Sequence, residues 1–251
     1  MRSCLDAWRR QMGCRVSSWL LSTGLVGAAA GAAITAVSPA LAIPEAQAIK
    51  KLEVIPVYVL TDDKGVPLPI PKDKALILPL YLEKAKAQSE LAGLLKGNPN
   101  LKAGLVAIPL NVMNDKVSDL NKQLKDKSKP LLAPVVVNQS DRQQAVALLK
   151  AQGLTEQQIN DGLSVPVFFT KPFTTITTPE GPRGVFFLSY EQLQNSLAKV
   201  PERDKLKPQV ADLTAVLREI IKAPQDTYVI FPTPEYFRLV QENQAKGKPA
   251  K

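Results

Sequence analysis

The chain has 251 residues, of which 45 % are apolar and 22 % charged, and a formal net charge of +9. That length allows one or two domains, and the excess of apolar over charged residues excludes an intrinsically disordered chain. There is no histidine, and the two cysteines, Cys4 and Cys14, lie at the extreme N-terminus.

The first forty or so residues read as a separate object. Arg2, Arg9, Arg10 and Arg15 form a positive leader, and the stretch from Trp19 to Val37 is uncharged and rich in alanine and glycine. "SPALA" then places an A-x-A cleavage site at Ala42, and "AQA" at 46–48 offers a second. The pattern is that of a cleaved secretory signal over 1–42. An N-terminal membrane anchor is the alternative, because the apolar stretch approaches the ~20 residues a spanning helix needs. Removing 1–42 takes away four basic residues and one acidic one, which leaves 28 against 22 and a net charge of +6. The remaining charges are interspersed, without a Lys/Arg block or interleaved aromatics, so nucleic acid is not the expected partner. The modest positive charge leaves room for peripheral contact with anionic lipid or an acidic partner. Both cysteines leave with the signal, and a mature chain without cysteine is indifferent to the redox state of its compartment.

From residue 54 onward the chain reads as one pattern written twice. "VIPVYVL" at 54–60 has a counterpart in "SVPVFFT" at 164–170. Each runs through a polar turn ("TDDKGVPLPIPKDK" and "TKPFTTITTPEGPRG") into a second apolar run, "ALILPLYL" at 75–82 and "GVFFLS" at 184–189. Two strand-like runs about a turn predict a β-hairpin in each half. Helical spacing follows, with Ala87, Leu91, Leu94 and Leu95 on one face in the first half and Leu193, Leu197 and Val200 in the second. Ser189 is the expected cap of the second of these helices. "LVAIPL" at 105–110 predicts a strand before "NVMNDKVSDLNKQL", and "PQVAD" is its weaker counterpart before "LTAVLREIIK" at 213–222. The last units align without a gap. "PVVVNQSDRQQAVALLKAQG" ends at Gly153 and "YVIFPTPEYFRLVQENQAKG" at Gly247. Each is a strand, a polar cap (Ser140 or Thr233), an acidic first turn (Asp141 or Glu235) and a helix closed by glycine.

The expected fold is therefore α/β of mixed α+β type. It has two pseudo-symmetric halves, each a roughly four-stranded sheet with helices packed on it in the order β-β-α-β-α-β-α. The expected boundaries are 43–153 for the N-terminal half and 164–244 for the C-terminal half. A connecting segment over 154–163 is capped by Thr155, and 245–251 forms a disordered tail.

"VPVFF", "GVFFL", "PVVV" and "YVIF" are apolar at consecutive positions, the mark of strands covered on both faces. Helices cover one face of a small sheet, and the other face needs the sister half, a second chain or a client. Leaving a phenylalanine wet forfeits about 1.5–3 kcal/mol. Two readings stay open for Tyr58, Leu60, Phe168, Phe169, Phe186 and Phe187: sealed core, or the lining of apolar grooves that receive extended polypeptide. Pro56, Pro79, Pro109 and Pro166 fall within strands or at their starts, where they remove ladder donors. They point toward a side-chain groove and away from strand addition.

Chemistry is sparse. Without histidine or cysteine there is no Ser-His-Asp triad, no Cys-His pair and no His- or Cys-ligated zinc. Ser164 and Ser189 sit at strand boundaries outside any G-x-S-x-G, so a Ser-Lys hydrolase is the remote enzymatic alternative. Asp62/Asp63 and Glu202/Asp204 lie in turns, and "TDDKG" lacks the periodicity of a calcium loop. The expectation is a binding protein, not an enzyme, with no catalytic residues, cofactor or metal.

"SVPVFFTKP", then "RGVFFLSYEQLQNSLAKVP", resembles the Tic twenty-two family, as do "VIPVYVLTDDKGVPL", "VAIPL" and "YVIFPTPEYFRL". The likeness spans roughly 50–240, and the bacterial-style signal points to the cyanobacterial branch of the family. The resemblance implies a protein working between two membranes as a chaperone-like factor in protein transport and outer-membrane protein biogenesis. Its implied partners are unfolded outer-membrane proteins and an Omp85-type assembly barrel. The implied compartment is the periplasm, with the thylakoid lumen or chloroplast intermembrane space as alternatives. A structural adaptor that docks assembly factors is the competing reading.

Overall fold

The computed structural model describes residues 43–246 except Lys125 and Lys127. The signal and the end of the tail, including Gly247, lie outside the described residues. The chain opens with helix α1 (Glu45–Lys50) and a 3-10 turn (Lys51–Val54). The first half then runs β1 (Pro56–Asp62), β2 (Ile70–Lys72), β3 (Ala75–Ile77), β4 (Leu80–Tyr81), α2 (Lys84–Gly97), β5 (Ala103–Pro109), α3 (Leu110–Gln123), β6 (Leu131–Leu132), β7 (Val135–Val136) and α4 (Gln139–Ala151). Helix α5 (Glu156–Gly162) connects to the second half. That half comprises β8 (Pro166–Lys171), β9 (Thr175–Thr178), β10 (Gly181–Phe186), α6 (Tyr190–Leu197), a 3-10 turn (Arg203–Lys205), β11 (Lys207–Asp212), α7 (Leu213–Lys222), β12 (Tyr228–Ile230) and α8 (Pro234–Lys246). The fold is mixed α+β. Helix α8 extends through Lys246, past the expected start of the tail at 245.

Strand pairing follows from where prolines withhold N–H groups. The first sheet has the order β5-β1-β4-β7, with β1 antiparallel to β5 and β4, and β4 parallel to β7. In the second half β11 pairs antiparallel with β8, and β10 pairs parallel with β12. A single antiparallel bridge, Phe168 to Phe187, joins β8 to β10 through two backbone bonds of 2.7 and 2.8 Å. The equivalent link between β1 and β4 is Tyr58 opposite Tyr81. The run at 75–82, expected as one strand, is cut at Pro79, and its facing run is cut at Pro134. Both pieces still pair in parallel, Leu76 and Ile77 with Leu131 and Leu132, and Leu80 and Tyr81 with Val135 and Val136. The small sheet β2-β3-β6 arises from this cut.

Local signals explain the helix ends. Thr155 and Gln158 form a reciprocal capping box on α5, and the Ser189 hydroxyl accepts from the Gln192 N–H on α6. Thr233 accepts from the Tyr236 N–H at the start of α8. The cap of α4 is Asn138, not Ser140, because its Oδ1 accepts from the N–H groups of both Ser140 and Asp141. Gly153 has φ +87°, the left-handed turn that lets Leu154 N–H reach back to the Leu149 carbonyl at 3.1 Å.

Three apolar layers result. The central core combines the inner faces of both halves: Val57, Val59 and Leu80 with Val167, Phe169, Phe186 and Ala211. Helices α3 and α7 complete it with Met113, Val117, Leu213 and Leu217, and α1 and the turn after it add Ala48 and Leu52. Helix α2 covers the outer face of the first sheet, and Leu239 of α8 packs there too. The outer face of the second is covered by α6, α5 and, from the first half, α4 with Ala145 and Leu149. The last helix of each half thus crosses to its sister.

Two polar devices brace the fold, the first between the halves and the second within the C-terminal half. Asp226 receives Lys51 Nζ at 2.7 Å and Arg183 NH1 at 2.8 Å, with all three side chains largely buried. Asp212 is buried and accepts three backbone N–H groups, from Thr214 at 2.9 Å, Ser164 at 2.8 Å and Val165 at 3.0 Å. It thereby caps α7 and fixes the entry into β8.

Replacing Asp212 by alanine leaves those donors unpaired, and a loss of about 3 kcal/mol in urea unfolding is expected. Ile43 and Ala48 belong to the central core, so a chain starting at Ile43 keeps both and serves as the reference. A chain starting at Ile49 should lose about 2–4 kcal/mol; comparison of their urea midpoints checks this.

Candidate functional site

The six residues expected to line grooves are all interior, between 0 and 8 % exposed. Tyr58 and Leu60 lie under α2 in the first outer layer. Phe168 and Phe187 lie under α4 and α6 in the second outer layer. Phe169 and Phe186 are in the central core, their ring centroids 5.5 Å apart. The structure brings them together in pairs and assigns the pairs to three different layers. No groove open to solvent is formed by them, and the physical reason is the crossing of α4 and α8, which supplies each outer sheet face with a second helix.

That crossing creates a cleft of about 210 Å³ where β4, β7, β10 and β12 end and the helices that follow them begin. Glu83 before α2, Asn138 before α4, Ser189 before α6 and Thr233 before α8 all line it. Four helix N-termini thus converge, and carboxylates answer their positive ends. Asn138 Nδ2 donates to Glu83. Asp141 accepts from the Tyr190 N–H at 2.8 Å and so caps α6 from α4. Glu235 accepts from the Tyr58 hydroxyl at 3.0 Å and pairs with Arg238 at 2.9 Å, while Lys84 reaches Glu242 at 2.9 Å. Burial, then the bond to Glu235 and its charge, push the Tyr58 hydroxyl well above the usual tyrosine range. Burial also pushes the Asp141 carboxyl up; Glu83 and Glu191 add to this, and the bond from Tyr190 opposes it.

These groups tie crossed helices to their foreign sheets. The cleft is smaller than the roughly 300–1,000 Å³ typical of ligand sites, and the Ser189 hydroxyl in its wall serves as a cap. "TDDKG" is a plain turn, in which Asp62 Oδ1 accepts from the N–H groups of Lys64 and Val66 and Gly65 takes φ +78°. Among the described residues no cluster of three or more acidic, histidine or cysteine side chains could hold a metal. No helix among them is long and apolar enough to cross a membrane.

The apolar side chains that do reach solvent were not singled out by sequence reasoning. They are Val66, Ile70, Val106, Val112, Ile176 and Phe237. Val66 and Ile70 lie on the arm around β2, Ile176 on β9, Val106 on β5, Val112 on α3 and Phe237 on α8. Nothing in residue type distinguishes them from buried neighbours; only the place of each element in the fold does.

Asp141 makes stability depend on pH with a defined sign. Because its folded pKa lies above the ordinary aspartate value of about 3.9, its contribution is fully present below that value and is lost as pH rises through the folded pKa. The advantage of the wild type over Asp141→Asn in urea midpoint is expected to be greatest in acid and to shrink toward neutrality.

No protein-family model matches the chain, and no curated protein matches it. Solved structures do. Anabaena Tic22, described as a protein of protein transport, superposes with a TM-score of 0.64 at 24 % identity, over 80 % of this chain and 97 % of the other. Tic22 from Plasmodium falciparum superposes at 0.62 with 16 % identity, over 80 % of this chain and 98 % of the other. With its strand order and crossed helices described, and nearly the whole of both structures covered, the chain has the Tic22-family fold.

Proposed function

We propose that this protein serves protein transport as a chaperone-like factor. It holds unfolded outer-membrane proteins and passes them toward an Omp85-type assembly barrel in a compartment between two membranes, the periplasm in a cyanobacterial setting. One observation carries the reading: the fold is shared over 97–98 % of two Tic22 structures, one of them described as protein transport. The interior position of Ile43 and Ala48 supports removal of a signal ending at Ala42.

Client contact in this reading is made by the exterior, because Tyr58, Leu60, Phe168, Phe169, Phe186 and Phe187 are committed to packing. The surfaces available are the exposed valines, isoleucines and Phe237. A net charge of +6 on 43–251 assists encounter with acidic surfaces. The closed layers also favour a second reading, a structural adaptor that docks folded factors through its helical faces and never handles unfolded chains.

The purified chain from Ile43 onward is expected to suppress aggregation of a urea-diluted outer-membrane barrel protein at near-equimolar ratio. Light scattering that is unchanged by its addition, with crosslinks only to folded partners, would select the adaptor.

A further inference from the structure

The first sheet ends on an edge that is protected only at one end, by Pro109. Strand β5 pairs with β1 from Pro56 opposite Pro109 through Asp62 opposite Ala103. Antiparallel pairing alternates, and two observations fix its phase. Leu110 N–H donates to the Ile55 carbonyl on the β5 side of β1, whereas the Leu60 carbonyl accepts from Leu68 on the opposite side. Ile108, Val106 and Gly104 therefore exchange bonds with β1. The N–H and C=O groups of Ala103, Leu105 and Ala107 point away from it. Among the described residues none of those outward groups has a backbone partner. No residue of β5 is buried, and Val106 is 38 % exposed.

The other edges are handled differently. Strand β11 carries Lys207 and Pro208, and its remaining half is buried. Strand β7 has two residues, and β12 has three before Pro232. Strand β2 contains Pro71 and Lys72, and β9 is a four-residue edge, three of them threonine. Only β5 combines seven residues with a complete absence of charge. Charge, proline and brevity are how sheets discourage unwanted pairing. Pro109 also faces outward, but it is the last residue of β5, so it leaves the N–H groups of Ala103, Leu105 and Ala107 open.

We propose that the β5 edge receives an extended segment of an unfolded polypeptide as an added strand, transiently. This rests on the client-holding reading above and names its contact. The row of alternating donors and acceptors is satisfied by another backbone. Side chains of the added strand would alternate between the face of Val106 and Ile108 and the face of Leu105 and Ala107 next to α2. Size selects a passing segment over a second copy of this chain. Seven residues make an edge of about 24 Å, and with Val106 its one exposed large apolar side chain the contact falls short of the roughly 1,200–2,000 Å² of a stable protein pair.

The test uses the chain from Ile43 onward and a fluorescein-tagged, lysine-flanked decapeptide of alternating threonine and valine. Fluorescence anisotropy is expected to show binding. N-methylation of one alternate set of peptide amides should weaken it at least tenfold, and methylation of the other set should not. Ala107→Pro, which removes one outward N–H, and Val106→Lys, which changes a side chain already in solvent, should each weaken binding about tenfold. Unchanged circular dichroism and thermal midpoint of Val106→Lys serve as the folding control. Equal binding of both methylated peptides, or wild-type affinity in both variants, overturns the inference. So does a sedimenting dimer that Ala107→Pro dissociates, because the edge would then belong to a second copy. Intact aggregation suppression with edge-insensitive peptide binding sinks the edge alone; absent suppression in the wild type sinks the client-holding reading itself.

Discussion

A strand that is apolar on both faces must be covered twice, and the larger features of this molecule follow from meeting that demand in several small sheets. Val57 and Tyr58 are neighbours on β1, yet Val57 enters the central core and Tyr58 an outer layer. The same split separates Val167 from Phe168 on β8. The inner faces solve the problem together, by sharing one core with α3 and α7. The outer faces solve it with α2 and α6 and with helices from the opposite half, α8 and α4. Crossing has a further consequence. Since α4 must leave β7 and α8 must leave β12 toward the other half, their starts meet those of α2 and α6 in one cleft.

The charges at that cleft suit their position. Four helix N-termini brought together would repel through their positive ends, and Glu83, Asp141, Glu191 and Glu235 lie among them. Asp141 belongs to α4 but caps α6, and Tyr58 belongs to β1 but donates to α8. Each such bond ties an element of one half to an element of the other, α4 to α6 and β1 to α8. The raised Tyr58 hydroxyl and Asp141 carboxyl thus have a structural cause, burial in the ties between the halves.

Much of the architecture was legible in the chain. Periodicity and spacing located the strands at 54–60, 105–110, 164–170 and 184–189 and the helices that follow them. Short polar motifs named Ser189, Thr155 and Thr233 as caps, because capping is decided by atoms a few residues apart. The cap at Asn138 was displaced to Ser140 because both residues suit the role and only the backbone turn chooses between them. The split of 75–82 into two strands was half visible in Pro79, but its reason, the facing break at Pro134, is a long-range match. The candidate site was legible only as chemistry. The six aromatic and aliphatic residues were correctly read as needing cover, while nothing near them in sequence says that the cover is a helix from the other half.

The sequence by itself determined the class of fold, the order of its elements and the two-sided burial of its strands, because these depend on local propensity and on alternation that neighbouring residues encode. Tertiary structure alone decided which helix covers which sheet face, which apolar residues end in solvent, and which edge is left unpaired. Those outcomes depend on the packing of segments up to 177 residues apart, as Tyr58 and Glu235 are. The free row on β5 exists because β1 takes one side of that strand and no described segment takes the other.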